Sequence, residues 1–163
     1  MTFNVKTIAR SLMCVVLALG STMTASWADD SQSGRKKVVD NAKWKEDCGA
    51  CHLAFPPRML PAESWRAVMA GLDDHFGSDA SLDAAEVSEI TEFLEKHARK
   101  KGRVTSGKPL LRITETRWFL SEHDEVSASV WKDPKVKSPA NCGACHTKAE
   151  SGDYSERNIK IPK

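Results

Sequence analysis

Apolar positions along this chain recur at helical spacing. After Pro61 they fall at Trp65, Val68, Met69 and Leu72, the i, i+3, i+4, i+7 stripe of one helical face, and Pro61 itself reads as a helix-starting residue. A second stripe runs through Leu82, Val87, Ile90, Phe93 and Leu94. Ser81 occupies its expected N-cap position, with Asp83 and Glu86 in the first turns. Arg99-Lys100-Lys101-Gly102 places basic residues and then glycine at its expected end. Gly34–Asp47 reads as a short charged helix whose apolar residues are Val38, Val39 and Trp44, and Thr114–Glu122 as another short helix carrying Trp118, Phe119 and Leu120. Ser138-Pro139 is expected to open one more helix. Pro56-Pro57, Gly71, Gly77 and Asp133-Pro134 mark loops, and the tail Gly152–Lys163 reads as irregular. No convincing period-two alternation occurs, so the expected fold is mainly α with extensive loops.

The N-terminus breaks this pattern. Met1–Arg10 carries Lys6 and Arg10 and no acid, Ser11–Met23 is mostly apolar, and Ser26-Trp27-Ala28 places small residues before Asp29-Asp30. These are the three parts of a secretory signal, expected to span residues 1–28. The apolar run is short for a membrane span of roughly 20 residues, which disfavours an uncleaved anchor. Cys14 falls inside this leader and is given no role. Without Lys6 and Arg10, 22 basic side chains face 22 acidic ones, so the remaining chain is near neutral. Nucleic acid is not an expected partner, because phosphate binding needs a clustered basic surface.

The four remaining cysteines form two pairs within one repeated pentapeptide: Cys48-Gly49-Ala50-Cys51-His52 and Cys142-Gly143-Ala144-Cys145-His146. An even cysteine count in an exported chain first suggests disulfides. The spacing and the histidine suggest otherwise. Two intervening residues let both sulfurs reach the two vinyl groups on one edge of a porphyrin, and the next residue then lies beneath the ring, where imidazole can bind iron. A four-cysteine zinc site needs no histidine after each pair, and a thioredoxin-like pair is single and set in a βαβ unit. Two covalently bound haem c groups are therefore expected, attached through Cys48, Cys51, Cys142 and Cys145, with His52 and His146 as proximal ligands.

The expected architecture is a small dihaem c-type cytochrome with two haem-centred helical lobes, residues 29–101 and 110–163, joined by a polar, basic linker at 102–109. Each lobe is too short for a generous apolar core, so the haem is expected to fill that role. Trp44, Trp65, Trp118 and Trp131 are read as packing around the haems, with aromatic electron relays as the sharper alternative.

The opposite face of each iron decides the chemistry: a sixth protein ligand makes an electron carrier, and an open position makes an oxygen binder or an enzyme. His75 lies in a loop just past the first amphipathic helix, and His123 follows Trp118-Phe119-Leu120. Both are read as distal ligands, each serving the motif nearest in sequence. His97 continues the Ile90, Phe93, Leu94 stripe and is read as packing or surface. Met69 belongs to a helical stripe, and Met59, beside the prolines, is the methionine alternative.

The segments between the motifs carry a resemblance. Leu72-Asp73-Asp74-His75-Phe76-Gly77, Glu89-Ile90-Thr91-Glu92-Phe93-Leu94, Arg112-Ile113-Thr114, Trp118, Glu122-His123-Asp124-Glu125 and Ser138-Pro139-Ala140-Asn141 before the second motif resemble the bacterial dihaem cytochrome c (DHC) family over essentially the whole mature chain. That resemblance implies two bis-histidine haems, with His52 and His146 proximal and His75 and His123 distal. It further implies a periplasmic donor whose partners are a high-spin monohaem cytochrome and a membrane cytochrome b. A monomeric electron carrier is expected, not an enzyme. The alternative is a small haem reductase or peroxidase with one open-coordinate haem; a sensing module is a weaker option, since no output region is evident.

Overall fold

The computed structural model describes residues 39–100 and 107–162. The expected leader, residues 34–38 and most of the expected linker lie outside them. Among the described residues there is no strand; the only ladder-like contacts are isolated bridges joining Pro61 to Arg99 and His146 to Ile159.

The first half is built from three helices: α1 (Ala42–Gly49), α2 (Ala62–Met69) and α3 (Ala84–His97). Helix α1 is shorter than the expected 34–47 segment and is displaced toward the first motif. Asn41 sets its start by accepting the Trp44 N–H at 2.8 Å, satisfying a donor that a helix N-terminus otherwise leaves orphaned. Pro61 caps α2 as anticipated. For α3, the N-cap is Asp83 and not Ser81. Its carboxylate accepts the Ala85 and Glu86 N–H groups, both at 2.9 Å, while Glu86 accepts the Asp83 N–H, which completes a capping box. Leu82 and Val87, at the flanking N′ and N4 positions, both pack on the core.

Helix α3 also stops earlier than its basic tail suggests. Ala98 turns extended (ψ 164°), and Arg99 donates its N–H to the Leu60 carbonyl at 3.0 Å. A long-range partner has captured the chain, so local C-terminal preference loses.

One cluster of buried side chains joins these helices: Trp44, Met59, Leu60, Trp65, Met69, Ile90, Phe93, Leu94 and Ile113. Fully buried Ile90 (0 % exposed) and Leu94 (1 %) each stabilise by about 1.5–3 kcal/mol. Trp65 closes the Pro56-Pro57 loop by donating its indole N–H to the Pro57 carbonyl at 2.7 Å. Met59 and Met69 are both core residues here.

Ile113 belongs to the second half yet sits in this core, and Arg58 reaches the Gly152 carbonyl at 3.5 Å. The second half itself buries few apolar side chains: beyond Ile113, only Phe119, Val136 and Ala149 among the described hydrophobics. Three residues do not make a core for this length of chain, so a bound apolar group has to supply one.

The expected 114–122 helix is split. A 3₁₀ turn (Ile113–Glu115) is followed by extended Thr116 and then α4 (Arg117–Glu122). A further single-turn helix, α5 (Ala128–Trp131), has no counterpart in the sequence reading. No helix opens at Ser138-Pro139. Lys137 takes a positive φ of 66°, and Asn141 turns its side-chain amide back onto the Val136 carbonyl at 3.0 Å, leaving only a 3₁₀ turn (Cys142–Ala144). The tail is not irregular either. Lys160 N–H bonds the Cys145 carbonyl at 2.8 Å and Thr147 N–H the Asn158 carbonyl at 3.0 Å, so the tail folds back onto the second motif.

Candidate metal centres

The same pentapeptide adopts two backbones. The first copy closes α1, with Cys48 and Gly49 as its last helical residues, and the second begins on a 3₁₀ turn. In neither copy are the cysteines joined as a disulfide. Burial, reinforced by the Asp47 carboxylate, pushes the Cys48 thiol up to about 11. Burial also raises the Cys142 and Cys145 thiols.

Each motif histidine faces a second imidazole. The rings of His52 and His75 lie 6.2 Å apart, centre to centre, at an interplanar angle of 25°. Those of His123 and His146 lie 6.0 Å apart at 72°. Two metal–nitrogen bonds of about 2 Å, plus about 1.2 Å from each nitrogen to its ring centre, span roughly 6.4 Å. Both pairs therefore have the spacing of two imidazoles on opposite sides of one metal ion. His97 makes no such pair; its ring packs on Phe93 at 5.2 Å.

Hydrogen bonds assign the free nitrogens. His52 Nδ1 lies 2.8 Å from the Leu53 carbonyl, and His123 Nδ1 lies 2.9 Å from the Phe119 carbonyl. A carbonyl only accepts, so Nδ1 carries the hydrogen and Nε2 keeps its lone pair for a metal. Burial, then the His52 ring, then the Arg112 charge lower the His75 pKa. Burial, followed by the His123 ring, does the same at His146. Both shifts favour neutral imidazole, the form that ligates.

Aromatic side chains wall each site. Phe55 stacks on His52 at 4.9 Å and Phe76 stands edge-on to His75 at 4.8 Å. Phe119 stacks on His123 at 4.1 Å, Trp131 lies 5.9 Å from the same ring, and Tyr154 stands edge-on to His146 at 5.4 Å. Phe55, Phe76 and Tyr154 were not singled out from the sequence. Phe55, three residues after His52, was the most accessible of them to spacing; Tyr154 arrives only because the tail reverses. Of the tryptophans, Trp44 and Trp65 lie in the first core, Trp131 borders the second pair, and Trp118 is exposed under Arg99.

Several buried polar atoms here lack any partner. Asp47 Oδ2, His146 Nδ1 and the Tyr154 hydroxyl are all solvent-inaccessible and unbonded, and all border the two motifs; a fourth such atom, Ser64 Oγ, lies in α2. Orphaned polar atoms cost about 1–3 kcal/mol each, so their grouping fits sites completed by a bound group with polar as well as apolar edges. The residues present thus fit haem: cysteine pairs for its vinyl groups, imidazoles for its iron, and apolar walls for its faces.

Two covalent tetrapyrrole sites on a loop-rich helical chain define a small multihaem c-type cytochrome. Residues 44–154 match the family model for dihaem cytochrome c. The structure is similar to a dihaem cytochrome c from Rhodobacter sphaeroides (41% identity, TM-score 0.66, 72% of this chain and 98% of that one). It is also similar to the dihaem cytochrome c of Shewanella baltica OS155 (39% identity, TM-score 0.66, 75% and 93%). DHC purified from Rhodobacter sphaeroides gives 46% identity and a TM-score of 0.63 over 72% of this chain and 99% of that one. Comparison with curated proteins gives no significant match. This chain belongs to the dihaem cytochrome c family; it carries two covalently attached haem c groups and is a haem-based electron-transfer cytochrome.

Proposed function

We propose that the protein is a periplasmic one-electron carrier in which His52 and His75 ligate one iron and His146 and His123 the other. The observation that carries this reading is the pair of imidazole–imidazole spacings, 6.2 and 6.0 Å, each joining a motif histidine to a histidine from a separate segment. A six-coordinate haem changes oxidation state by one electron without exchanging a ligand. The chain's part is to hold both imidazoles in place through the oxidation change. The carbonyl bonds at His52 and His123 and the flanking rings serve that purpose. In this reading neither iron takes a thioether, in keeping with Met59 and Met69 packing in the first core, and low to moderate potentials follow.

Residues 1–28 support export, because a charged start, a short apolar run and a small-residue exit make a secretory signal. In this reading residues 29–101 and 110–163 each carry one haem, and the chain works as a monomer. A membrane cytochrome b is the donor and a soluble high-spin monohaem cytochrome the acceptor. The deciding experiment is a spectroelectrochemical titration of the holoprotein with an EPR spectrum of the oxidised state and carbon monoxide added to the reduced state. Two low-spin signals, no methionine–iron charge-transfer band and no rapid carbon monoxide binding are expected. A high-spin signal, or rapid binding at one haem, replaces the carrier with an open-haem reductase or peroxidase.

A further inference from the structure

The two distal histidines are held in different ways. His123 closes α4, bonds the Phe119 carbonyl through Nδ1 and stacks on the Phe119 ring. His75 follows a single 3₁₀ turn (Leu72–Asp74), and its ring makes no hydrogen bond among the described residues. Its support is the turn itself. His75 N–H bonds the Ser78 carbonyl at 2.7 Å, Ser78 N–H returns to the His75 carbonyl at 3.3 Å, and Asp74 Oδ1 accepts the Gly77 N–H at 3.1 Å.

That turn is strained. Phe76, the next residue, has φ of 56°, a left-handed conformation that is a genuine outlier for a bulky side chain. Such a conformation persists only when its surroundings over-determine it. The Phe76 N–H bonds the Asp74 carbonyl at 2.8 Å, its ring stands edge-on to His75, and on the ring lies Arg112, whose guanidinium is 4.0 Å from the centroid. Arg112 comes from the other half of the chain. Its neighbour Ile113 is anchored in the core, and its own side chain is steadied by Glu115 at 3.7 Å.

We propose that Arg112 is a positioning residue for the first haem site: stacked on Phe76, it keeps the His75 turn closed and the imidazole on the iron. The proposal rests on the bis-histidine reading above. It also links the two sites, because residues 112–123 carry both the Arg112 clamp and the Thr116–Phe119–His123 support of the second pair. A planar guanidinium suits this role better than an ammonium, since stacking on a ring needs a flat cation.

The test is carbon monoxide binding to the dithionite-reduced, fully haem-loaded protein, compared across wild type, Arg112→Ala, Arg112→Lys, Phe76→Leu and the Arg112→Ala/Phe76→Leu double variant. Binding must wait for a distal histidine to leave, so its rate reads the open fraction. An exposed cation–ring contact corresponds to a roughly two- to fivefold change in that fraction. The expected result is a two- to fivefold faster phase, equal to one haem per chain, in Arg112→Ala and in Phe76→Leu. The double variant is no faster than Phe76→Leu, whose ring also touches His75 directly, and Arg112→Lys lies between wild type and Arg112→Ala. The responding haem is identified by matching its difference spectrum to that of His75→Ala. A closed wild type with an unaltered Arg112→Ala overturns the proposal alone. So does an Arg112→Ala effect that persists in full on the Phe76→Leu background. Rapid binding by the wild type at one haem overturns it together with the six-coordinate reading.

Discussion

Thr116 caps α4, the helix that ends at His123, and its substitution gives a calibrated prediction. Its hydroxyl makes two bonds: Oγ accepts the Phe119 N–H at 3.1 Å and donates to the Ile113 carbonyl at 2.7 Å. The first is an N-cap bond, typically about 1 kcal/mol. The second adds about 0.5 kcal/mol, at the low end, because the Ile113 carbonyl keeps its bond from the Thr116 N–H at 3.1 Å. Thr116→Ala should therefore cost about 1.5 kcal/mol, a fall of about 4–8 °C in Tm for a domain of this size. Thr116→Ser keeps the hydroxyl and should stay within about 0.5 kcal/mol of wild type. Thr116→Val keeps the shape, loses both bonds, and should match alanine. The assay is thermal and guanidinium unfolding of the haem-loaded protein, followed by far-UV circular dichroism. A valine variant as stable as wild type, or a serine variant as weak as alanine, refutes the assignment of these bonds as the support of α4.

Other substitutions probe the remaining parts. Ile90→Ala empties a fully buried position in α3 and should cost about 2–5 kcal/mol in the same unfolding assay; a loss below about 1 kcal/mol would mean the core collapses around it. His123→Ala should open one haem of two, giving a high-spin signal and carbon monoxide binding that added imidazole reverses; an unchanged EPR spectrum would move the sixth ligand elsewhere. Asp153 accepts from the Ser155 N–H, the Ser155 hydroxyl and the Asn158 amide; the Ser155 bonds are the main cause of its lowered pKa. A depressed folded-state pKa stabilises above the unfolded value of 3.8 and is lost as pH falls through the folded value. Asp153→Asn should thus be less stable than wild type at neutral pH and converge with it in acid below that value, as followed by pH-dependent unfolding.

The attachment sites were legible in the sequence because their chemistry is local: five consecutive residues hold two sulfurs and an imidazole at fixed spacing. His75 and His123 were legible as candidates for a weaker reason, since each adjoins an apolar helical stripe. The helix stripes of α2 and α3 were readable too, but their ends were not. Arg99 left the helix because the Leu60 carbonyl was available across the fold, and Ser81 lost the cap to a carboxylate two residues on that could serve two N–H groups. The failed 138 helix has the same origin, since Asn141 spends its amide on Val136. Tyr154, the chain's single tyrosine, had no periodic signal at all; its place beside His146 depends on bonds such as Thr147 N–H to the Asn158 carbonyl.

Identical pentapeptides in unlike frames should give unequal haems, and the charge around them sets the order. Residues 39–100 hold 12 acidic side chains against 7 basic, whereas residues 107–162 hold 8 against 9. The first motif also terminates α1, whose C-terminal end carries the negative pole of the helix dipole, and the Asp47 carboxylate immediately precedes it. Negative charge favours the ferric state, so the first haem should have the lower potential. Arg112, near His75, acts in the opposite sense but is one cation against that acidic excess. With exposed charges partly screened, a separation on the order of 50 mV follows. Potentiometry of wild type, with each wave assigned through His75→Ala and His123→Ala, checks the order, and raising ionic strength should narrow the gap. A first-motif haem that titrates at the higher potential refutes this order.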